Sequence, residues 1–128
     1  MKKIIFIDDD EINNFLLENK FNTHLPDVKA EFFDSAEAGL NYLSENGEAP
    51  PQFIFLDIKM PAMNGFDFLK EYHRRMYHES FPTRIFMLSS SVKASDREKS
   101  RSFSSVEGFI SKPLEIKELQ EIMEKTFK

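Results

Sequence analysis

Three short, uninterrupted apolar runs limit the possible folds of this chain more than any other feature. They occupy residues 4–7, 53–56 and 85–88, are rich in β-branched and aromatic side chains, and are bounded by polar groups. Runs of this kind are typical of strands that are buried on both faces. The sequence therefore predicts a parallel sheet with helices on either side.

Two further strands are predicted from weaker signals. Val28–Phe33 alternates more between apolar and polar residues, as an edge strand does, and residues 109–110 form a weak final strand placed mainly by the rhythm of the others. Alternation of strand and helix predicts a doubly wound α/β domain with right-handed crossovers. The leading option is a flavodoxin-like five-stranded parallel sheet of order 2-1-3-4-5 with five helices, in which function lies at the carboxyl ends of the strands.

The helices are predicted from apolar residues that recur at helical spacing. One face of the first helix is predicted to hold Ile12, Phe15, Leu16 and Asn19. Asp34 and Glu37 resemble a capping box that opens the second helix. The third and fifth helices carry clearer stripes, namely Phe66, Leu69, Tyr72 or His73 and Met76, and then Leu119, Ile122, Met123 and Thr126 or Phe127. Residues 92–106 have few apolar side chains and are predicted to be a helix held weakly to the sheet.

Length and composition narrow the functional classes. The 128 residues are expected to form a single domain, and the lack of Cys excludes disulfides, zinc fingers and thiolate catalysis. The formal charge of −5 argues against binding to nucleic acid or to an anionic membrane, which requires a basic face. No segment has the length of a membrane span or a signal-peptide core, so a cytoplasmic location is expected. No output domain is expected after the last helix, so the output is expected to pass through another protein.

Polar residues follow the predicted strands. The first run precedes Asp8, Asp9, Asp10 and Glu11, the second precedes Asp57, the third precedes Ser89, and the last strand precedes Ser111, Lys112 and Pro113. In the predicted strand order these strand ends are neighbours. Two or three carboxylates, a hydroxyl and an ammonium group are therefore expected to converge at one edge of the sheet.

Carboxylates gathered in this way require a cation or a raised pKa. Two of them about 4 Å apart repel each other by roughly 4 kcal/mol at an effective dielectric constant of about 20. Oxygen ligands without His or Cys nearby favour Mg²⁺ or Mn²⁺ over zinc, and Mg²⁺ keeps waters that a phosphoryl oxygen can replace. With Ser89 and Lys112 as donors to the remaining charge, the pattern favours phosphoryl transfer to a carboxylate.

Most of these residues have a simpler explanation when each is taken alone. The acids of residues 8–11 can stabilise a helix N-terminus, Ser89 can cap a helix, and Lys112 can be an ordinary surface lysine. Asp57 is harder to explain in this way, because Pro61 follows too soon for Asp57 to cap a helix. The combination, with each member at its own strand end, is what favours a functional site.

These residues resemble the receiver domain of two-component response regulators. The resemblance covers residues 2–127 and rests on four segments, 4–10, 55–65, 86–90 and 108–113. The overall shape is most similar to the single-domain, chemotaxis-type regulators. The resemblance implies a phosphoprotein of phosphorelay signal transduction. Such a domain catalyses its own phosphorylation and dephosphorylation and is not a turnover enzyme.

The resemblance also assigns roles to individual residues. Asp57 is implied to be the phosphoacceptor, which takes its phosphoryl group from a sensor histidine kinase or a histidine phosphotransfer protein. Asp9, Asp57 and the backbone carbonyl of Lys59 are implied to bind Mg²⁺ directly, and Asp8 through metal-bound water. Lys112 is expected to pair with a phosphoryl oxygen.

Other residues are implied to serve the switch or the shape of the loops. Ser89 is expected to bind the phosphoryl group and draw its loop inward, and Phe109 stands at the aromatic switch position. Pro61 and Gly65 are expected to shape the loop after the phosphoacceptor, and the peptide bond before Pro113 is expected to be cis.

The switch predicts which surface of the domain passes the signal to another protein. Phosphorylation adds charge and acceptor oxygens, and a two-state loop and helix then shift in population. The weakly held helix within residues 92–106 is the predicted moving part, because it has little core contact to lose. The output surface is predicted on this helix, the strand of Phe109 and the C-terminal helix. The downstream protein is unknown, and a monomer or a phosphorylation-dependent dimer fits the sequence equally well.

Two other functional classes stay open. A phosphohydrolase of the haloacid-dehalogenase type would also form an aspartyl phosphate, but Lys59 occupies the position of that family's second acid and the chain leaves no room for a substrate cap. A phosphorylation-independent binding module of receiver-like shape is the other class. The joint presence of five residues argues against it, namely Asp8, Asp9, Asp57, Ser89 and Lys112.

Overall fold

A computed structural model of the protein describes residues 2–45, 50–75, 83–90 and 93–127. Five parallel strands form one sheet in the order β2-β1-β3-β4-β5, which is the predicted flavodoxin-like topology. The strands are β1 (Lys2–Ile7), β2 (Val28–Phe33), β3 (Phe53–Asp57), β4 (Arg84–Ser89) and β5 (Val106–Ser111). The limits of β2 are as predicted, and the other four strands are longer than predicted.

Five helices are found in the described residues. They are α1 (Glu11–His24), α2 (Ala36–Glu45), α3 (Gly65–Arg75), α4 (Ala94–Arg101) and α5 (Ile116–Phe127). None of these helices, within the described ranges, has the length and apolar character needed to cross a membrane.

Each face of the sheet carries its own hydrophobic core, because alternate residues of a strand point to opposite faces. In β1, Ile5 and Ile7 join the core on the side of α2 and α3. Ile4 and Phe6 join the core on the side of α1 and α5. Every residue of β3 is buried. The prediction of strands covered on both faces is therefore confirmed.

Phenylalanine side chains hold α1 against the sheet. The ring of Phe6 stacks on Phe32 and Phe55, with centroids 4.9 and 5.0 Å apart, and meets the edge of Phe21 at 5.4 Å. Stacked and edge-on ring pairs add about 0.5–1.5 kcal/mol to the burial of their surface. This packing fixes the position of α1, and with it the loop that follows β1.

The predicted inner face of α1 is wrong. Ile12, Phe15 and Leu16 are 74%, 62% and 52% exposed, and Asn19 is exposed as well. The buried residues are instead Asn14, Leu17 and Phe21. At 3.6 residues per turn these two sets lie on roughly opposite sides of the helix. A polar residue on the inner side and three apolar residues on the outer side reverse the pattern on which the prediction relied.

Two predicted helix limits are also corrected. Ser35, not Asp34, caps α2, because its Oγ accepts a hydrogen bond of 3.1 Å from the backbone N–H of Ala38. Within the predicted helix at 92–106, the described residues are helical only over α4, which ends at Arg101, and Val106 already belongs to β5. Val92 lies outside the described residues. The prediction that this helix is weakly held is confirmed, since Ser100 is its one buried residue.

The stripes of α3 and α5 agree with the structure where it describes them. Tyr72 rather than His73 is the buried alternative in α3, and Leu119 and Met123 are buried in α5. Met76 and the side chains of Thr126 and Phe127 lie outside the described residues.

Candidate functional site

Asp8 follows β1 and is held in place by its neighbours in α1. Its carboxylate accepts hydrogen bonds from the backbone N–H of Asp10 at 3.0 Å and from Nδ2 of Asn13 at 3.3 Å. Nδ2 of Asn14 donates to the backbone carbonyl of Asp8 at 2.8 Å. Asp8 is only 2% exposed, whereas Asp9 is exposed. The two adjacent acids therefore differ in environment, one fixed and buried and one open to solvent.

Asp10 has a separate structural role. Its carboxylate accepts a hydrogen bond of 3.0 Å from the backbone N–H of Asn13, so it is the N-cap of α1. An acidic cap also interacts favourably with the positive end of the helix dipole. Of the four acids at residues 8–11, Asp10 is therefore one that stabilises a helix N-terminus, which is the simpler role that the sequence allows for these acids.

Asp57 is the last residue of β3 and is 5% exposed. The chain then turns back closely. The backbone N–H of Gly65 donates to the carbonyl of Ile58 at 2.9 Å, and a Cβ at Gly65 would lie 2.6 Å from the carbonyl oxygen of Asp57. Only a residue without a side chain fits this approach unless the backbone shifts. Gly65 therefore allows the first residue of α3 to pack directly against the backbone of Asp57.

The loop between Asp57 and Gly65 contains one unusual backbone conformation. Ala62 has a φ of 65°, in the left-handed region that residues with a Cβ rarely adopt. Pro61 beside it is exposed. At the other end of the loop, the side chains of Asn64 and Asp67 each accept a hydrogen bond from the other's backbone N–H, at 2.9 and 3.1 Å. The spacing of Asn64 and Asp67, three residues apart, is a sequence signal that indicates this reciprocal capping at the start of α3.

Ser89 and Lys112 stand at the ends of β4 and β5. Ser89 is 2% exposed and pairs in register with Ser111. The backbone N–H of Lys112 donates to the carbonyl of Ser89 at 2.8 Å, which ties the two strand ends together. The peptide bond between Lys112 and Pro113 is cis, as expected.

The side chain of Lys112 joins the two buried acids. Its Nζ lies 2.7 Å from Oδ2 of Asp8 and 3.3 Å from Oδ1 of Asp57. Burial disfavours the charged ammonium group, but the hydrogen bond to Asp8 and the charges of Asp8 and Asp57 outweigh it and raise the pKa of Lys112. Lys112 therefore stays charged at neutral pH.

Asp57 titrates unusually for a carboxyl group. Desolvation by burial, with the negative charge of Asp8, raises the pKa of Asp57 from 3.8 to about 6, although Lys112 acts in the opposite direction. A pKa raised in this way means that the charged form of Asp57 is held at a cost. A bound cation would remove that cost.

The acidic group fits a divalent cation. Carboxylate oxygens of Asp8, Asp9 and Asp57 lie within 4.8 Å of one another. Three carboxylates against the one ammonium of Lys112 leave a local surplus of two negative charges. Hard oxygen donors with this surplus suit Mg²⁺ or Mn²⁺. The donor set on these elements therefore agrees with the metal expected from the sequence.

Two residues of the predicted site remain, Lys59 and Phe109. The side chain of Lys59 is exposed two residues after Asp57. Phe109 is half-buried in β5, and the guanidinium carbon of Arg97 lies over its ring, 5.0 Å from the centroid. Sequence reasoning did not identify Arg97, nor the two asparagines that hold Asp8.

Comparison with known families identifies the domain. The family model described as the response regulator receiver domain matches residues 4–124. The chain belongs to this family. It is thus a phosphoacceptor domain of two-component signalling, and its doubly wound sheet with an acidic edge is that of a receiver domain.

Two curated relatives contain a region similar to this receiver domain. A hybrid signal transduction histidine kinase L from Dictyostelium discoideum is 29% identical over 127 residues, which is 96% of this chain. A protein-glutamate methylesterase/protein-glutamine glutaminase from Thermotoga maritima is 31% identical over 88 residues, or 69% of this chain. The matched regions make up only 7% and 23% of those relatives' lengths.

Solved structures show the same fold over the whole domain. A response regulator receiver protein from Dyadobacter fermentans has a TM-score of 0.83 and 31% identity, with 99% of this chain and 98% of the other covered. The response regulator TrrA from Thermotoga maritima, solved in complex with Mg²⁺-BeF, has a TM-score of 0.72 and 20% identity, with coverage of 99% and 100%. The second likeness concerns the fold alone.

Proposed function

We propose that Asp57 of this receiver domain accepts a phosphoryl group from a phosphohistidine of a sensor histidine kinase or a histidine phosphotransfer protein. The observation that carries the proposal is the position of Asp57, buried at the end of β3 with Lys112 at 3.3 Å and two further carboxylates beside it. A carboxylate held with a raised pKa, next to a fixed cation and a metal-type donor set, suits attack on phosphorus.

The transfer requires no co-reactant besides the donor. One oxygen of the Asp57 carboxylate forms a bond to phosphorus as the bond between phosphorus and the donor's ring nitrogen breaks. The electron pair of that bond stays on the nitrogen, and the imidazole leaves as a neutral ring when its other nitrogen carries a proton. The products are an aspartyl phosphate at residue 57 and a free histidine on the donor.

Lys112 and Ser89 bind the new group in this proposal. Lys112 already lies between Asp8 and Asp57, so a short movement of its Nζ brings it to a phosphoryl oxygen. Ser89 at the end of β4 provides a second donor, a hydroxyl at the end of the strand next to Asp57. The two donors are tied together by the hydrogen bond from the backbone N–H of Lys112 to the carbonyl of Ser89, which limits their reorganisation during the transfer.

Asp8, Asp9, Asp57 and the backbone carbonyl of Lys59 would hold Mg²⁺. When bound, the ion offsets carboxylate charge and neutralises charge on the transferring phosphoryl group. This assignment rests on the oxygen donor set of the acidic group. The Mg²⁺-BeF complex of TrrA from Thermotoga maritima supports it at the level of the shared fold.

The signal then leaves through the face of α4, β5 and α5. Ser89, Ser111 and Lys112 join the phosphorylation site directly to β5. α4 packs mainly against β5 and buries only Ser100, so a change in β5 can move it at small energetic cost. A net charge of −5 favours another protein over nucleic acid as the receiver of the signal.

The test is incubation with acetyl phosphate and Mg²⁺ followed by intact mass measurement. The wild type is expected to gain one phosphoryl group, and Asp57→Asn none. Asp27→Asn, which changes an exposed acid before β2, is the matched control and should react like the wild type. If acetyl phosphate gives no product, a phosphorylated histidine phosphotransfer domain is used as donor. No transfer from either donor would refute the proposal.

A further inference from the structure

A cavity of about 250 Å³ lies between α4 and β5, away from the acidic site. Arg97, Ser100 and Arg101 line it from α4, and Glu107 and Phe109 line it from β5. β5 is an edge strand, so this cavity opens at the border of the sheet. It therefore combines a partly enclosed volume with access for a large partner.

The two arginines of this cavity have no anionic partner in the part of the chain that the structure describes. Among the described residues neither Arg97 nor Arg101 forms an ion pair, whereas Arg74, Arg75 and Arg84 each form one. Nε of Arg97 is buried and has no hydrogen-bond acceptor within the described part of the chain. A buried donor left without a partner is unfavourable, and more so when it is charged. The guanidinium groups that line this cavity therefore have donor capacity that the described residues do not use.

The local charge is positive although the protein is acidic. Lys93 and α4 together carry four basic and two acidic side chains, in a chain whose formal charge is −5. Glu107 carries the one carboxylate among the described lining residues, and this carboxylate pairs with Arg84 at 3.9 Å. Charge complementarity at this place therefore favours an anionic ligand.

We propose that this cavity receives a carboxylate side chain from an acidic segment of the downstream protein, with Arg97 and Arg101 as its ligands. The planar guanidinium group presents paired N–H donors that match the two oxygens of a carboxylate. A protein segment is favoured over a small anion because the cavity is continuous with the exposed surface of α4. This inference rests on the proposed function, since it names the chemistry of the partner that reads the phosphorylated state.

Arg97 links this cavity to the phosphorylation site. Its guanidinium group lies over the ring of Phe109, and Phe109 is three residues before Lys112 on the same strand end. A movement of Phe109 therefore alters the position of a carboxylate ligand. Because coupling between two sites is reciprocal, the acidic segment should bind the phosphorylated and unphosphorylated states with different affinities.

The experiment is a ¹H–¹⁵N NMR titration of the full chain with a synthetic peptide of alternating Glu and Ala residues. Its counterpart with Gln in place of Glu, and inorganic phosphate, are titrated separately. The Glu peptide is expected to shift the amides of Arg97, Arg101 and Phe109 and the Nε–H of Arg97, and the Gln peptide is expected to leave them unchanged. Equal shifts with inorganic phosphate alone would overturn the proposal, because the cavity would then be a small-anion site.

Three variants distinguish binding in the cavity from general attraction of the peptide to the positive charge of α4. Arg97→Gln and Arg101→Gln should each weaken binding of the Glu peptide by about tenfold, since each removes a charge-assisted contact. Lys93→Gln is the matched control, because Lys93 is exposed, lies outside the cavity and makes no capping hydrogen bond with its side chain. Equal losses in all three variants would also overturn the proposal.

Phosphorylation is measured separately by intact mass in the same samples. A domain that gains the phosphoryl group but shows no cavity-specific binding in either state would refute the inference and leave the proposed function standing. Cavity-specific binding in a domain that cannot be phosphorylated would refute the proposed function and leave the carboxylate site standing.

Discussion

The ammonium group of Lys112 lies closer to Asp8, at 2.7 Å, than to the proposed phosphoacceptor, at 3.3 Å. Asp8 is also fixed by hydrogen bonds from α1, whereas Asp57 has a raised pKa and the weaker contact. Lys112 is therefore anchored mainly by Asp8 and is available to a new group on Asp57 without losing its principal partner.

Removal of this lysine should destabilise the metal-free protein. Lys112→Met leaves two buried carboxylates without their cation, and breaking a buried pair in this way costs about 3–5 kcal/mol. We expect a loss of roughly 2–4 kcal/mol, because the side chain of Lys112 is 21% exposed and its interactions are partly screened. Urea unfolding in the presence of EDTA measures this loss of stability.

Two controls accompany this measurement. Lys117→Met, on the exposed face of α5, should change the free energy of unfolding by less than about 0.5 kcal/mol. Mg²⁺ should restore part of the stability of Lys112→Met, because the ion offsets the same carboxylates. Equal stability of Lys112→Met and Lys117→Met in EDTA would contradict the geometry of the site.

Asp57→Asn should stabilise the metal-free protein at neutral pH. The pKa of Asp57 rises from 3.8 to about 6 on folding, so between these pH values the folded state binds more protons than the unfolded state. The contribution of Asp57 to stability therefore falls as the pH rises through this window. Asn cannot titrate, so the variant should be more stable by about 1–3 kcal/mol above the window and should lack this fall.

Thermal or urea unfolding between pH 4 and pH 7 in EDTA checks this prediction. Asp27→Asn again serves as the control, because it changes the same type of residue at an exposed position. A variant at position 57 that follows the wild-type pH dependence throughout would show that Asp57 is not the group responsible. Mg²⁺ should narrow the difference at neutral pH, since it stabilises the charged wild type.

The strands and their terminal residues could be predicted from the sequence because their signals do not depend on context. An apolar run such as residues 53–56 is buried on both faces whichever helix covers it, and the residue after it must emerge at the edge of the sheet. β5 was the exception. Glu107 and Gly108 interrupt its apolar pattern, and pairing with β4 rather than its own composition sets its length.

The helices depend more on tertiary contacts. In α1, Asn14 faces inward because its amide binds the backbone of Asp8, a contact that no periodicity in the sequence reveals. Asp10 caps that helix, and the cap sets the point at which the helix begins. The cation of Arg97 over Phe109 likewise arises only when α4 packs on β5. Side chains that act through a neighbouring element were therefore the ones that sequence reasoning missed.

The reversed face of α1 predicts unequal effects of substitution. Leu17→Ala removes a side chain that is 4% exposed in the core between α1 and the sheet, and should cost about 2–5 kcal/mol. Leu16→Ala changes a side chain that is 52% exposed and should cost less than about 0.5 kcal/mol. Urea unfolding of the pair, which differs only in position, gives the comparison. Similar losses for both would mean that Leu16 is also buried in solution.

The strained residue after Pro61 predicts a stabilising substitution. Ala62 has a φ of 65°, and a residue with a Cβ is disfavoured there by roughly 1–2 kcal/mol. Glycine removes this cost but adds freedom to the unfolded chain, so Ala62→Gly should raise the free energy of unfolding by about 0.5–1 kcal/mol. Ala38→Gly, inside α2, is the control of opposite sign and should lower it by a similar amount. If both substitutions destabilise the protein equally, Ala62 does not adopt the left-handed conformation in solution.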